Sequence, residues 1–285
     1  MPAVAIVTDS TASLPPEVAS ARGIHVVPLQ VVIGARVLEE GPDGATPDVV
    51  AQALRDFVPV STSRPAPTLI ADLYRRLADE GAEEIVSVHL SGEMSGTFES
   101  AQLAALEVDV PVHVVDSTQV GIGTGYAALT AADVLDAGGS AEEAARAARE
   151  RGEAATSLFY VDTLEYLRRG GRIGAAAAIF GSALSVKPLL EIVDGRVSPR
   201  EKVRTASRAL ARLAELAVEA AGDVPVDVCV AHLANDERAT ELTEQLTQRL
   251  ADQLDGRDVM CGELGAVLGA HVGPGMVAVC VSPRP

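Results

Sequence analysis

Ile85-Val-Ser-Val-His-Leu-Ser-Gly-Glu-Met-Ser-Gly-Thr-Phe-Glu-Ser-Ala-Gln-Leu-Ala-Ala-Leu106 decides the fold class. Ile85 to Leu90 reads as a strand; a glycine-containing turn follows, and then a helix over about 95–106. The same alternation continues on both sides. Downstream, Val112 to Val115 predicts another strand, followed by helices over about 122–136 and 140–152. Upstream, Val4 to Thr8 is a short apolar run ending in Asp9-Ser10-Thr11, after which Pro15-Pro16 opens a helix. Ile24 to Ile33 is β-branched, and Thr46-Pro47 marks a helix start, with Thr as N-cap and Pro at the first helical position. Residues 68–80 read as an amphipathic helix. Strands alternating with helices predict a mostly parallel sheet with helices on its faces.

The second half reads differently. Phe159 to Val161 is a short strand, and Leu164 to Arg169 is helical up to Gly170-Gly171. Pro188 to Val193, Asp194-Gly195 and Arg196-Val197 form a predicted β-hairpin, because Asp-Gly suits a tight two-residue turn. A long Ala-rich helix over 203–221, a strand over Val226–Ala231, a helix over 236–254 and strands near 257–261 and 276–282 complete the chain. The expected fold is α/β with two domains, 1–155 and 156–285, the second with a mixed or antiparallel sheet. Asp-Ser-Thr recurs at 116–118, again at a strand end, but the echo is too short to be a repeat.

Nearly half of the 285 residues are hydrophobic, enough for a full core, while aromatics make up only 3% and Trp is absent. Few rings and a formal net charge of −17 speak against modules that stack bases or grip a phosphate backbone. No run of about 18 apolar residues predicts a membrane span. The start, MPAVAIVTDS, lacks the basic segment and apolar stretch of a signal peptide. Cys229, Cys261 and Cys280 are odd in number and scattered, and the first and last lie in apolar runs suited to buried thiols. A cytoplasmic protein is expected.

Several segments could carry chemistry. Ser61-Thr62-Ser63-Arg64-Pro65 precedes a helix and offers hydroxyls and N–H groups to an oxyanion, or serves as an ordinary capping loop. Ser91 to Thr97 places two glycines with Ser95 and Thr97 between a strand and a helix, the usual ligand position in α/β sheets, or is simple N-capping. Neither is a P-loop. Gly121-Ile-Gly123-Thr-Gly125 misses the dinucleotide fingerprint, because the third glycine would fall at Tyr126. Arg172 follows Gly170-Gly171 on a loop and suits a carboxylate or phosphate, or an inter-domain salt bridge, while Arg168 and Arg169 read as solvated helix-end charges. His271, beside Val272-Gly-Pro-Gly275, is expected in a rigid loop where it can bond a ligand; His25, His89, His113 and His232 lie in or beside strands. No histidine pair or cysteine set has metal-site spacing. A Ser95–His271 hydrolase is conceivable, without the Gly-x-Ser-x-Gly elbow.

Taken in order, Thr8-Asp-Ser-Thr11, Thr62-Ser-Arg-Pro65, Leu90-Ser-Gly-Glu-Met-Ser-Gly-Thr97, Val115-Asp-Ser117, Leu164 to Gly174, Leu184-Ser-Val-Lys-Pro-Leu-Leu190, Lys202-Val-Arg-Thr205 and His271-Val-Gly-Pro-Gly275 resemble the DegV family of bacterial fatty-acid-binding proteins over nearly the whole chain. The resemblance implies two α/β domains (the EDD fold) with a fatty acid such as palmitate or oleate between them, its acyl chain in an apolar tunnel that Ala175 to Ile179 could line. It implies that Thr62, Ser95 and His271 hold the carboxylate, with Ser63, Gly96 and Thr97 as secondary candidates. Arg172 would dock the ATP-binding subunit of a fatty acid kinase, which makes the acyl-phosphate for phospholipid metabolism. The chain itself would be a carrier rather than an enzyme, with no cofactor and no metal. The remaining readings are a small hydrolase or transferase using Ser95 and His271, and a carrier of another apolar anion. The family loop usually reads Thr-Ser-Gln-Pro-Ser; here Arg64 adds a positive charge and Ala66 removes a hydroxyl.

Overall fold

The structure, a computed structural model, describes residues 3–174, 176 and 187–285. Its contacts gather the chain into two units. One holds the described residues up to Gln30 together with Ser63–Glu153; the other holds Val31–Thr62 together with Ala154–Pro285. A single cut near residue 155 would leave 31–62 with the first half, whereas their contacts join them to 154–285. The reason is non-local. These residues supply β3 (Gln30–Ile33), β4 (Arg36–Glu39) and β5 (Val60–Ser63), a three-stranded sheet in the order β4-β3-β5, and a helix α2 (Pro47–Arg55) that packs on a helix near the C-terminus.

The first unit is built on a parallel sheet. Strands β1 (Val4–Asp9), β2 (Ile24–Val27), β6 (Glu84–His89) and β7 (Val112–Asp116) pair in the order β2-β1-β6-β7, all parallel. Because side chains alternate across a strand, neighbours in sequence serve opposite cores. Ile6, Val86, Val88 and Val115 pack on α5 (Ile122–Asp136) and α6 (Ala141–Ala154), through Ala127, Ala128, Ala131, Ala144 and Ala148. Val7, Val27 and Ile85 pack on α3 (Pro67–Asp79) and α4 (Thr97–Ala105), through Ile70, Tyr74, Leu77, Ala101 and Ala104. Helices on both faces explain why the central strand β6 reads as a continuous buried run. A short helix α1 (Pro16–Ala21) links β1 to β2. The glycines of Gly121 to Gly125 serve packing: a Cβ at Gly125 would stand 2.5 Å from the Ala12 carbonyl oxygen.

The second unit carries a mixed sheet. Strands β8 (Thr156–Tyr160), β9 (Lys187–Val193), β10 (Arg196–Val203), β11 (Val226–His232), β12 (Met260–Glu263) and β13 (Val277–Pro283) run in the order β10-β9-β8-β13-β11-β12. All pairs are antiparallel except β11 with β12. The predicted hairpin is present, with Asp194 at φ 49° and Gly195 at φ 74°, the left-handed pair that a tight hairpin turn needs. One core joins Leu158, Leu189, Val228, Val230 and Val279 to the helices α8 (Ala206–Ala221) and α9 (Asp236–Arg249). Helices α7 (Glu165–Arg169), α10 (Ala251–Leu254) and α11 (Ala266–Val272) complete the unit, α11 packing against α2 and α7. Cys229 and Cys280 are buried and face each other in register on β11 and β13; burial pushes the Cys229 thiol pKa up.

Three sequence readings change. The run Ile24–Ile33 divides at Pro28, which lacks a ladder N–H, into β2 of the parallel sheet and β3 of the small sheet. The long helix over 236–254 is interrupted at Leu250. His271 sits in the last turn of α11 rather than in the loop that follows. Of the stretch 175–179, offered as a tunnel lining, only Ala176 is among the described residues, and it is buried. Among the described residues no helix is long and apolar enough to cross a membrane.

Candidate functional site

Thr62 lies on β5 and His271 on α11, 209 positions apart, yet Thr62 Oγ1 and His271 Nε2 stand 2.8 Å from each other. Two features bring α11 to this place. At its N-terminus the Glu40 carboxylate accepts the N–H of Val267 at 2.8 Å, where negative charge suits the helix dipole. At its C-terminus Gly273 donates its N–H to Gly269 and turns the chain with φ 76° and ψ 167°. The imidazole rests on the Gly-Gly turn after α7: a Cβ at Gly170 would come within 2.1 Å of His271 Nδ1. Gly273 and Gly275 are equally confined, the first by the ring of Tyr166 and the second by the Asp162 carboxylate. The Gly-Pro-Gly sequence is therefore an adaptation to close packing beside the histidine. Asn235 Nδ2 closes the loop by donating to the Gly275 carbonyl at 2.7 Å.

Nδ1 of His271 is shielded and has no hydrogen-bond partner among the described residues. Burial, and then the positive charge of Arg172, push the His271 pKa from 6.5 down to about 4. The folded protein therefore resists protonation that the unfolded chain accepts. Stability from this source is complete above about pH 6.5 and is lost as the pH falls towards 4. Between those limits the protein should lose up to about 3 kcal/mol that His271→Gln does not lose. Urea unfolding of both proteins at several pH values measures it; parallel curves would contradict it.

A neutral imidazole that gives Nε2–H to Thr62 Oγ1 leaves the threonine O–H free to donate elsewhere, since a hydroxyl accepts and donates at once. Ser95 is arranged alike in the other unit. Its Oγ accepts the N–H of Thr97 at 3.3 Å and shares a proton with Thr97 Oγ1 at 2.9 Å. If Thr97 donates, the Ser95 O–H is also free for an external acceptor. The secondary candidates differ. Ser63 donates to Gln30 Oε1 at 3.1 Å, Thr97 is buried at the start of α4, and Gly96 lies under the Arg64 side chain. Arg64 itself is paired with Glu99 at 2.5 Å, so its charge is offset locally. Arg172 Nη1 donates to the Gly170 carbonyl at 2.6 Å and so braces the turn on which His271 rests. Arg168 and Arg169 pair with Glu165 on the exposed face of α7.

The Ser95–His271 hydrolase gains no support from these contacts. His271 Nε2 is hydrogen-bonded to Thr62, and a pKa of about 4 makes a weak base at neutral pH. A second chain of groups, Asp9, His89 and Ser87, has the order of a catalytic triad, but all three are fully buried and out of a substrate's reach. Among the described residues no group of three or more His, Cys, Asp or Glu could hold a metal ion. Sequence reasoning named Thr62 and His271 and marked the Gly170-Gly171 turn, but missed that His271 rests on Gly170, and missed Glu40, which no local signal distinguishes.

Solved structures share this architecture. A fatty-acid-binding DegV family protein from Thermus thermophilus superimposes with a TM-score of 0.91 and 32% identity, over 99% of this chain and 100% of that one. DegV of Bacillus subtilis, a fatty acid binding protein, gives 0.90 and 32% over 100% of both. A DegV domain-containing protein of Streptomyces coelicolor is 54% identical over 99% of each chain. The family model described as "Uncharacterised protein, DegV family" matches residues 3–284. With the family model spanning residues 3–284, a 54% identical relative over nearly the whole chain and two α/β units superimposing on solved members, the chain belongs to the DegV family.

Proposed function

We propose that this chain binds one long-chain fatty acid, of the class of palmitate or oleate, with Thr62, His271 and Ser95 holding its carboxylate. It acts as a carrier without a cofactor, in the cytoplasm, and presents the bound acid to an ATP-dependent kinase subunit. There the carboxylate attacks the terminal phosphate of ATP to give acyl-phosphate and ADP. Arg172, presented after the Gly-Gly turn, is the proposed contact for that subunit.

The observation that carries the reading is the Thr62–His271 pair, 2.8 Å apart, with a neutral imidazole able to turn the threonine proton outward. Two relatives of the same fold at 32% identity are fatty acid binding proteins, which favours this ligand over other apolar anions. Energetics agree with retention: burial is worth about 0.8 kcal/mol per methylene, so a chain of about fourteen offers roughly 11 kcal/mol before the costs of association. A desolvated carboxylate must keep its hydrogen bonds, which assigns the hydroxyls their role.

Native mass spectrometry of the freshly purified protein, with organic extraction, tests the proposal. A mass excess of one fatty acid is expected. Thr62→Ala and Ser95→Ala should each weaken palmitate binding by about tenfold, the value of a hydrogen bond to a charged group. An empty protein that also fails to take up palmitate would reject the carrier reading. Full retention in both variants would reject the head-group assignment.

A further inference from the structure

The two Asp-Ser-Thr tripeptides close β1 and β7, the strands that flank β6 on either side. Their backbones differ. Ser10–Ala12 form a 3-10 turn, whereas Thr118 is left-handed with φ 53°, a conformation that β-branched residues rarely adopt. What they share is the work of the aspartate. In each, Oδ1 accepts the N–H of the threonine two residues on: Thr11 to Asp9 at 3.1 Å, Thr118 to Asp116 at 2.8 Å. In each, Oδ2 reaches sideways to the backbone where the chain leaves β6. Asp9 accepts the N–H of Leu90 at 3.1 Å and Asp116 that of Gly92 at 3.0 Å. One segment is thus gripped from both sides at alternate residues.

Between the grips lies Ser91, fully buried, whose N–H donates to the Gln119 carbonyl at 2.8 Å. Its carbonyl receives the N–H groups of Met94 and Ser95, and its hydroxyl receives that of Glu93. The loop to Gly96 therefore hangs from Leu90–Gly92. Glycine at 92 is required by the grip itself, because a Cβ there would stand 2.9 Å from Asp116 Oδ2 and 3.3 Å from the Phe98 ring. A hydroxyl that must meet a carboxylate oxygen within a few tenths of an ångström gains from a loop ordered beforehand. Hydrogen bonds from N–H to carboxylate are the strong kind for that purpose.

We infer that Asp9 and Asp116 are paired positioning residues that preorganise the Ser95 loop for a fatty carboxylate, acting through the backbone at Leu90 and Gly92. The inference rests on the proposed role of Ser95. It also gives the repeated tripeptide a common purpose that its differing backbones do not suggest.

Asp116 is partly exposed, so Asp116→Ala should fold even if a change at the fully buried Asp9 does not. The test compares the full-length wild type, Asp116→Ala, Ser95→Ala and the double variant by three readouts. These are amide hydrogen exchange over 90–97, displacement of a fluorescent fatty acid by palmitate, and its displacement by 1-hexadecanol, which lacks the carboxylate. Asp116→Ala should speed exchange in the loop and weaken palmitate by about tenfold, while hexadecanol changes by less than about twofold. In the Ser95→Ala background it should add less than about threefold, because both act on one interaction. Equal losses for palmitate and hexadecanol, additive losses, or unchanged exchange would overturn the inference and leave the carrier reading intact. Undiminished palmitate binding in Ser95→Ala would instead reject Ser95 as a carboxylate contact, and the inference with it.

Discussion

Asp9→Ala is expected to lower the unfolding free energy by about 3–5 kcal/mol, the cost of leaving several buried donors without their common acceptor. Asp9 is fully buried and accepts from Thr11 N at 3.1 Å, Thr11 Oγ1 at 2.5 Å, His89 Nδ1 at 2.9 Å and Leu90 N at 3.1 Å. The histidine bond is one link in a longer chain. Tyr74 OH donates to Ser87 Oγ at 2.7 Å, and Ser87 Oγ lies 2.8 Å from His89 Nε2. Asp9, an acceptor only, takes the proton on Nδ1; in a neutral ring Nε2 then accepts from Ser87, whose oxygen in turn accepts the Tyr74 O–H. The direction Tyr74, Ser87, His89, Asp9 is therefore set by the two ends. Burial keeps Tyr74 protonated by pushing its pKa up. Truncation at Asp9 strands an imidazole N–H and two backbone N–H groups in a site without water access, and each unsatisfied donor carries a desolvation penalty. Urea unfolding of Asp9→Ala against wild type measures the loss. A change below about 1 kcal/mol would mean that the network contributes little beyond packing.

Gly273→Ala is expected to cost at least about 3 kcal/mol and to abolish tight fatty-acid binding, because it combines two faults. The backbone at Gly273 has φ 76° and ψ 167°, a region almost closed to residues with a Cβ. The added methyl would also stand 2.0 Å from Cδ2 and 2.2 Å from Cε2 of Tyr166. Relief requires Tyr166 or the segment itself to move, and His271 lies only two residues upstream. Pairing Gly273→Ala with Tyr166→Ala separates the two causes, since the double variant removes the clash and keeps the backbone strain. Partial recovery of the thermal midpoint is expected, with palmitate binding still impaired. Wild-type stability in the single variant would show that the loop adapts freely and that its glycines do not brace the histidine.

The predicted elements whose signals are local are present. The Asp194-Gly195 turn, the Thr46 N-cap, whose hydroxyl accepts the N–H of Val49 at 3.3 Å, and the apolar runs of β1, β6 and β7 are properties of consecutive residues. The elements that were missed have weak local signals. Val60-Ser-Thr-Ser63 is mostly polar and is a strand because it pairs with β3, and Ala266 to Val272 is a short helix containing a glycine, held by Glu40 from far away in the chain. The same distinction applies to the candidate site. Hydroxyl-rich loops and a histidine beside Gly-Pro-Gly could be named from the sequence as able to hold an anion.

By itself, then, the sequence determined the α/β class, most of the strand and helix positions and the residue types available to a carboxylate, because hydrophobic periodicity, caps and turns are written over a few adjacent positions. Only the tertiary structure decided that residues 31–62 join the second unit, that Thr62 meets His271, that Gly170 must be small, and that two distant aspartates grip one strand end. Those are contacts between residues tens to hundreds of positions apart. They arise from how sheets and helices pack, which local periodicity does not encode.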